Sequence, residues 1–122
     1  ILASIVEAEV RESRDRRIVA GIFLNRLQIG MALQTDASIS YLTGSGRAHS
    51  TAVDLAIDSP FNTYKYQGLP PAPINNPGAD VIRAGLNPAP SDYLYFLSDS
   101  VGNIYYARTL EEHVENRRKA GF

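Results

Sequence analysis

The chain has 122 residues, 44% hydrophobic and 20% charged, with a formal net charge of −1; this size and balance predict one soluble globular domain with a real core and no strong pull toward nucleic acid or an anionic membrane. The absence of cysteine excludes disulfides, thiolate metal sites and a cysteine nucleophile, and two histidines, His49 and His113, are too few for a convincing metal cluster. No apolar run is long enough for a signal peptide or a membrane span, and a start at Ile1, without Met and inside a helical pattern, is read as a fragment whose targeting segment would lie upstream.

Residues 2 to about 12 are expected to form an amphipathic helix in which Leu2, Ile5, Val6 and Val10 share one apolar stripe. Glu9 falls near the middle of that stripe and Glu7 at its edge. A polar break at residues 11–15 follows, with Ser13 or Asp15 as the cap of a second helix from about 16 to 28, ended by Gly30. Residues 31–35 read as a connector, and a short helix from about 37 to 42 follows with Asp36 as candidate N-cap. Residues 44–50 are rich in Gly and Ser, hence a loop, in which His49 is expected to be exposed and inert; a helical turn is weakly indicated at 52–56. Residues 61–68 alternate in character and suit a short strand or extended segment, and the prolines of 69–74 demand an extended chain. A turn at 75–78 leads to a helix ending near Leu86. Residues 93–98 and 104–107 form a β-hairpin, and Thr109, with Glu112 in the capping-box position, starts a last helix reaching about Lys119. The layout is α+β: a helical body carrying a small antiparallel β-hairpin.

Among these elements Glu9 is the residue with the clearest chemical meaning. A carboxylate turned toward a core is costly unless paired or protonated. Burial raises its pKa, and a raised pKa makes a usable general acid at neutral pH. The competing reading pairs Glu9 with an arginine of the 11–17 stretch or leaves it in a wet crevice. Other chemistries fit poorly: there is no Gly-x-Ser-x-Gly elbow, no phosphate loop and no metal-ligand spacing. Seven tyrosines, with Asn25, Asn62, Asn75, Asn76 and Gln34, supply flat apolar faces and amide hydrogen bonds, an inventory that suits carbohydrate. Tyr93, Tyr95, Tyr105 and Tyr106 read as hairpin core, whereas Tyr64 and Tyr66 stand beside the Pro-rich loop as site candidates. Asn25 and Arg26 read as structural hydrogen-bonding groups at a helix end, and His113 as a structural histidine. Gln34, Thr35 and Asp36 lie in a loop that can face a groove.

Several segments together resemble the endolytic murein (lytic) transglycosylase family, called MltG or YceG-like. They are Ala3-Ser4-Ile5-Val6-Glu7-Ala8-Glu9, Gly21-Ile22-Phe23-Leu24-Asn25-Arg26-Leu27 with Gly30-Met31, Leu33-Gln34-Thr35-Asp36, Asp58-Ser59-Pro60-Phe61-Asn62-Thr63-Tyr64, Gly68-Leu69-Pro70-Pro71, Asn76-Pro77-Gly78, Asn87-Pro88-Ala89 and Tyr93-Leu94-Tyr95-Phe96. Each alone is weak; their order over nearly the whole chain is specific. The resemblance implies that residues 1–122 are a lysozyme-like catalytic domain that cuts peptidoglycan glycan strands internally. It implies a longer parent protein with an N-terminal membrane anchor and a small LysM-like region, acting outside the cytoplasm, with cell-wall synthases as candidate partners and no cofactor or metal. The family's essential acid is the second glutamate of the Glu-x-Glu pair, which falls on Glu9, with Glu7 as the alternative. Gln34, Asn62 and Tyr64 are then expected to orient the sugar and its acetamido group, with Asp36 and Tyr41 as further substrate-binding candidates and residues 69–74 as a stiff groove wall. Ala37 stands where the family commonly has proline and Ala72 where it commonly has glycine; residues 44–56 match nothing specific. Two rivals remain: a lysozyme-type hydrolase using Asp36 as second carboxylate, and a non-catalytic glycan-binding module.

Overall fold

The apolar stripe of the first segment does become a core face. In the computed structural model, which describes residues 1–45 and 50–122, the elements are α1 (Leu2–Glu9), α2 (Ser13–Gln28), α3 (Asp36–Thr43), α4 (Ala52–Leu55), α5 (Ala79–Leu86), β1 (Tyr95–Ser98), β2 (Ile104–Ala107) and α6 (Leu110–Lys119). Ile5, Val6 and Val10 pack with Val19, Ala20 and Phe23 of α2, Leu33, and Val81 of α5 to form the buried centre. Helices α1, α2 and α5 pack pairwise around it, and α6 packs on the hairpin. The α+β layout expected from the sequence is therefore observed. Among the described residues, no helix is long and apolar enough to cross a membrane. His49 lies outside the described residues.

Helix α1 stops at Glu9, short of the expected end near residue 12. Val10 turns extended, at φ −142° and ψ 150°, which drops its side chain into the core. The Arg16 Nε–H donates to the Val10 carbonyl at 3.0 Å and so satisfies a helix-end acceptor. Helix α2 starts at Ser13, earlier than expected, and neither Ser13 nor Asp15 caps it. Their side chains serve tertiary contacts instead: Ser13 Oγ donates to Asp80 at 2.8 Å, and Asp15 accepts from the Tyr106 hydroxyl at 2.7 Å. At α3 the cap is Thr35, whose Oγ1 accepts from the Ser38 N–H at 3.4 Å. Asp36 is thus the first helical residue, and its carboxylate is free for other work.

Two backbone features position the remaining walls. The segment after α5 crosses α2 at Gly21, where a Cβ would stand 2.4 Å from the Ala89 carbonyl oxygen. The approach is fixed by the Ala89 N–H on the Arg17 carbonyl at 3.0 Å and by Arg17 Nε–H on the Asn87 carbonyl at 2.9 Å. Residues 61–68, expected as a strand or extended piece, are instead a series of turns. The hairpin pairs Tyr95 with Ala107 through Ser98 with Ile104, and Asp99 closes its turn by accepting from the N–H groups of Val101 and Asn103. Thr109 caps α6 as expected, accepting from the Glu112 N–H at 3.2 Å, but the Glu112 carboxylate takes the Thr109 hydroxyl rather than completing the box.

Candidate active site

The end of α1, the start of α3, strand β1 and the inner face of α6 enclose a cleft of about 760 Å³ lined by Glu9. The two glutamates of α1 have separate fates, decided by one arginine. Arg16 holds Glu7 at 2.9 Å and Asp80 at 2.9 Å, while its Nε–H is spent on Val10. Arg16 is therefore committed to Glu7 and Asp80, Arg17 donates to the Asn87 carbonyl, and Glu9 lines the cleft with Asp36 as its charged neighbour. Burial, then the negative charge of Asp36, push the Glu9 carboxyl up to about 7, against a smaller opposing pull from the Ala37 backbone N–H. Its position on the last turn of α1 acts in the same raising direction, because the helix C-terminus disfavours an anion.

Asp36 is held by hydroxyls. Tyr64 donates to its Oδ1 at 3.0 Å and Ser50 Oγ donates to the same oxygen at 2.8 Å. The Tyr64 hydroxyl is itself pushed well above its ordinary pKa by burial and by the Asp36 charge, so it stays a proton donor in this contact. A buried polar network sets the distance between the two. The Thr35 N–H donates to Thr63 Oγ1 at 2.9 Å, Ser38 Oγ lies 2.8 Å from the same atom, and Ser38 Oγ donates to the Thr35 carbonyl at 2.9 Å. These bonds clamp residue 63 against the first turn of α3 and thereby bring Tyr64 over Asp36. Gln34 precedes this turn in the left-handed region, at φ 54°, a conformation that costs a non-glycine residue on the order of 1 kcal/mol. Its N–H donates to the Thr63 carbonyl at 3.2 Å, and the residue lines the cleft with an exposed side chain. Gln34, Asp36 and Tyr64 thus line the same cleft as Glu9.

Two of the expected substrate residues stand elsewhere. Asn62 is fully buried, and its amide is saturated by its own loop. Its Nδ2 donates to the carbonyls of Leu55 and Ile57 at 3.0 and 2.8 Å, and its Oδ1 accepts from the N–H groups of Tyr64 and Lys65. It shapes the loop that carries Tyr64 and has no donor left for a sugar. Tyr41 is not among the residues that line the cleft and is tilted over Phe61 with ring centroids 5.0 Å apart. Tyr66 is exposed, with its hydroxyl on Asp58. The Pro-rich segment is not a wall of this cleft either: Pro70 is buried, and Ile74 and Asn75 bond to Ser4 at the other end of α1.

Arg26, Tyr95 and His113, which read from the sequence as structural, also line the cleft. Arg26 is buried and donates to the carbonyls of Leu94, Ala32 and Leu33 at 2.7, 3.1 and 2.9 Å, joining the hairpin to the Gln34 loop. Its guanidinium also lies 5.2 Å from the Tyr95 ring centroid, and His113 stacks on that ring at 5.0 Å. Tyr95, His113, Arg117 and Ser50 all line the cleft. The legible signal for two of them was the four-residue spacing of His113 and Arg117 on one face of α6. Among the described residues, no group of three or more His, Asp or Glu side chains stands together so as to hold a metal ion.

The sequence profile of the YceG-like family matches residues 1–119. The chain belongs to the YceG-like family. It is 44% identical over 118 residues to the endolytic murein transglycosylase of Bacillus subtilis, covering 97% of this chain and 33% of that protein. It is 41% identical over 121 residues to the endolytic murein transglycosylase of Streptococcus pneumoniae, covering 94% of this chain and 22% of that protein. The crystal structure of a YceG-like protein from Listeria monocytogenes superimposes with a TM-score of 0.89 at 46% identity, covering 94% of this chain and 38% of the other. The chain thus spans a third or less of the curated family relatives it matches.

Proposed function

We propose that this chain is the lysozyme-like catalytic domain of an endolytic murein transglycosylase, with Glu9 as the only acid and base of the reaction. The observation that carries this reading is a single carboxyl held near neutral pKa in a sugar-sized cleft, beside a carboxylate already engaged by two hydroxyls. Protonated Glu9 donates to the oxygen linking N-acetylmuramic acid to N-acetylglucosamine, and that bond breaks. Positive charge develops at the muramyl anomeric carbon, where the substrate's own 2-acetamido oxygen closes on it, so no enzyme nucleophile is needed. Ionised Glu9 then removes the proton of the muramyl C6 hydroxyl, whose oxygen attacks the anomeric carbon and expels the acetamido group. The product is a 1,6-anhydro end, water is not consumed, and Glu9 regains its proton. A carboxyl with pKa near 7 serves both half-reactions without a large penalty in either.

Asp36 supplies negative charge near the developing cation and keeps the Glu9 proton in place; Tyr64 and Gln34 face the sugar from the same side. Two hydroxyls already occupy Asp36 Oδ1, so that oxygen is not open to position an attacking water, which favours the lytic over the hydrolytic reaction. The parent protein is placed outside the cytoplasm on an upstream anchor, with peptidoglycan strands as substrate and cell-wall synthases as partners; the relatives' names support the substrate.

Digestion of purified sacculi tests the reading. Wild-type protein should yield strand ends lighter by one water and resistant to borohydride reduction. Glu9→Gln should lower the rate by about 10²- to 10⁴-fold. Reducible ends would instead assign a hydrolase, and binding without cleavage would assign a binding module.

A further inference from the structure

We infer that the α6 wall of the cleft recognises a carboxylate on the peptide stem of the glycan strand, through Arg117 and His113. This rests on the glycan-cleaving reading above and extends it to the substituent that selects the strand. The cleft is polarised: α1 and α3 contribute the acids Glu9 and Asp36, and α2 and α6 contribute Arg26, His113 and Arg117. Arg26 is committed to three backbone carbonyls. Arg117 is not so committed. Among the described residues no carboxylate pairs with it, although its helix is acidic: Glu115 is taken by Arg118, and Glu112 by the Thr109 hydroxyl and N-terminal turn.

His113 lies one turn before Arg117 on the same face. Stacking on Tyr95, with 23° between the planes, fixes its ring. Its Nδ1 is sealed in the packing with no hydrogen-bond partner among the described residues, which leaves Nε2 as the nitrogen that can meet a ligand. Burial, then the charges of Arg117 and Arg26, hold its pKa below the ordinary value, and its Nε2 is a polar atom on the same helix face as the guanidinium. A guanidinium with an adjacent rigid donor is a carboxylate receptor. In a murein strand whose lactyl groups are amide-linked to peptide the sugars are uncharged, so a free cation in a glycan cleft finds no partner in the sugars themselves. The carboxylates sit on the peptide that the muramyl residue carries.

The experiment compares the intact protein on strands whose stem carboxylates are free and on the same strands with those carboxylates converted to neutral amides by carbodiimide and methylamine, because amidase stripping would uncover a lactyl carboxylate on every muramyl residue. On the strands with free carboxylates, Arg117→Gln should raise KM about tenfold with kcat unchanged, the size of one charge-assisted hydrogen bond. On the amidated strands the same variant should behave as wild type, and on the strands with free carboxylates Arg117→Lys should recover part of the loss. His113→Phe, which keeps a ring on Tyr95 but removes Nε2, should shift KM in the same direction by less. Equal effects on both substrates, or none, would overturn the inference while leaving strand cleavage intact. An effect that follows removal of wall-polymer phosphate by hydrofluoric acid, rather than amidation of the stem carboxylates, would also overturn it. Failure of wild type to cleave either substrate would sink both this inference and the glycan-cleaving reading.

Discussion

At the scale of single residues, the site is a division of labour between carboxylates. Glu7 has a cation and Glu9 has an anion for a neighbour, and two residues of sequence separate the two environments. Replacing Asp36 with Asn removes a charge that raises the Glu9 pKa, so the alkaline limb of the cleavage profile should move to lower pH; an unmoved limb would show that Asp36 does not act through Glu9. Stability carries the same signature. Between pH 4.5 and about 7 the folded chain holds a proton on Glu9 that the unfolded chain has released, so this group's contribution falls as pH rises. The loss is complete above pH 7 and amounts to about 3 kcal/mol at most. Glu9→Gln should therefore match wild type in urea denaturation at pH 4 and be more stable at pH 8. The candidacy of Glu9 was legible from the sequence because a carboxylate on an apolar stripe is a local pattern. The exclusion of Asn62 was not, because the carbonyls that saturate its amide come from a loop whose path no periodicity encodes.

At the scale of elements, the ends of helices decide the geometry. The early stop of α1 puts Glu9 at a helix terminus, and Arg16 is the residue that anchors that stop. Arg16→Met should cost about 1–3 kcal/mol, discounted because Asp80 is half exposed. It should leave the pH profile of cleavage in place, since the Arg16 charge is not among the groups that shift Glu9. Urea denaturation and a pH–rate profile on one preparation check both halves. The interiors of α2, α5, the hairpin and α6 were legible from apolar spacing and turn residues. The cap of α3 was not: Thr35 and Asp36 are both good N-caps, and the choice fell to Thr35 because Thr63 fixes its hydroxyl from across the chain. Residues 61–68 mimic a strand in their alternation, but no neighbouring edge pairs with them, and Asn62 turns them instead.

At the scale of the molecule, packing of α1 against α2 and α5 dries one side of Glu9, while α3 brings Asp36 to the other. The α6 helix closes the far wall, a role that a sequence pattern cannot assign because it depends on where the hairpin carries the helix. The most direct measurement is a carbon-13 NMR titration of the Glu9 side-chain carboxyl in the folded protein. A midpoint near 7, moving down in Asp36→Asn, is expected. A midpoint at the ordinary value of 4.5, unmoved by Asp36→Asn, would contradict Glu9 as the proton donor at neutral pH.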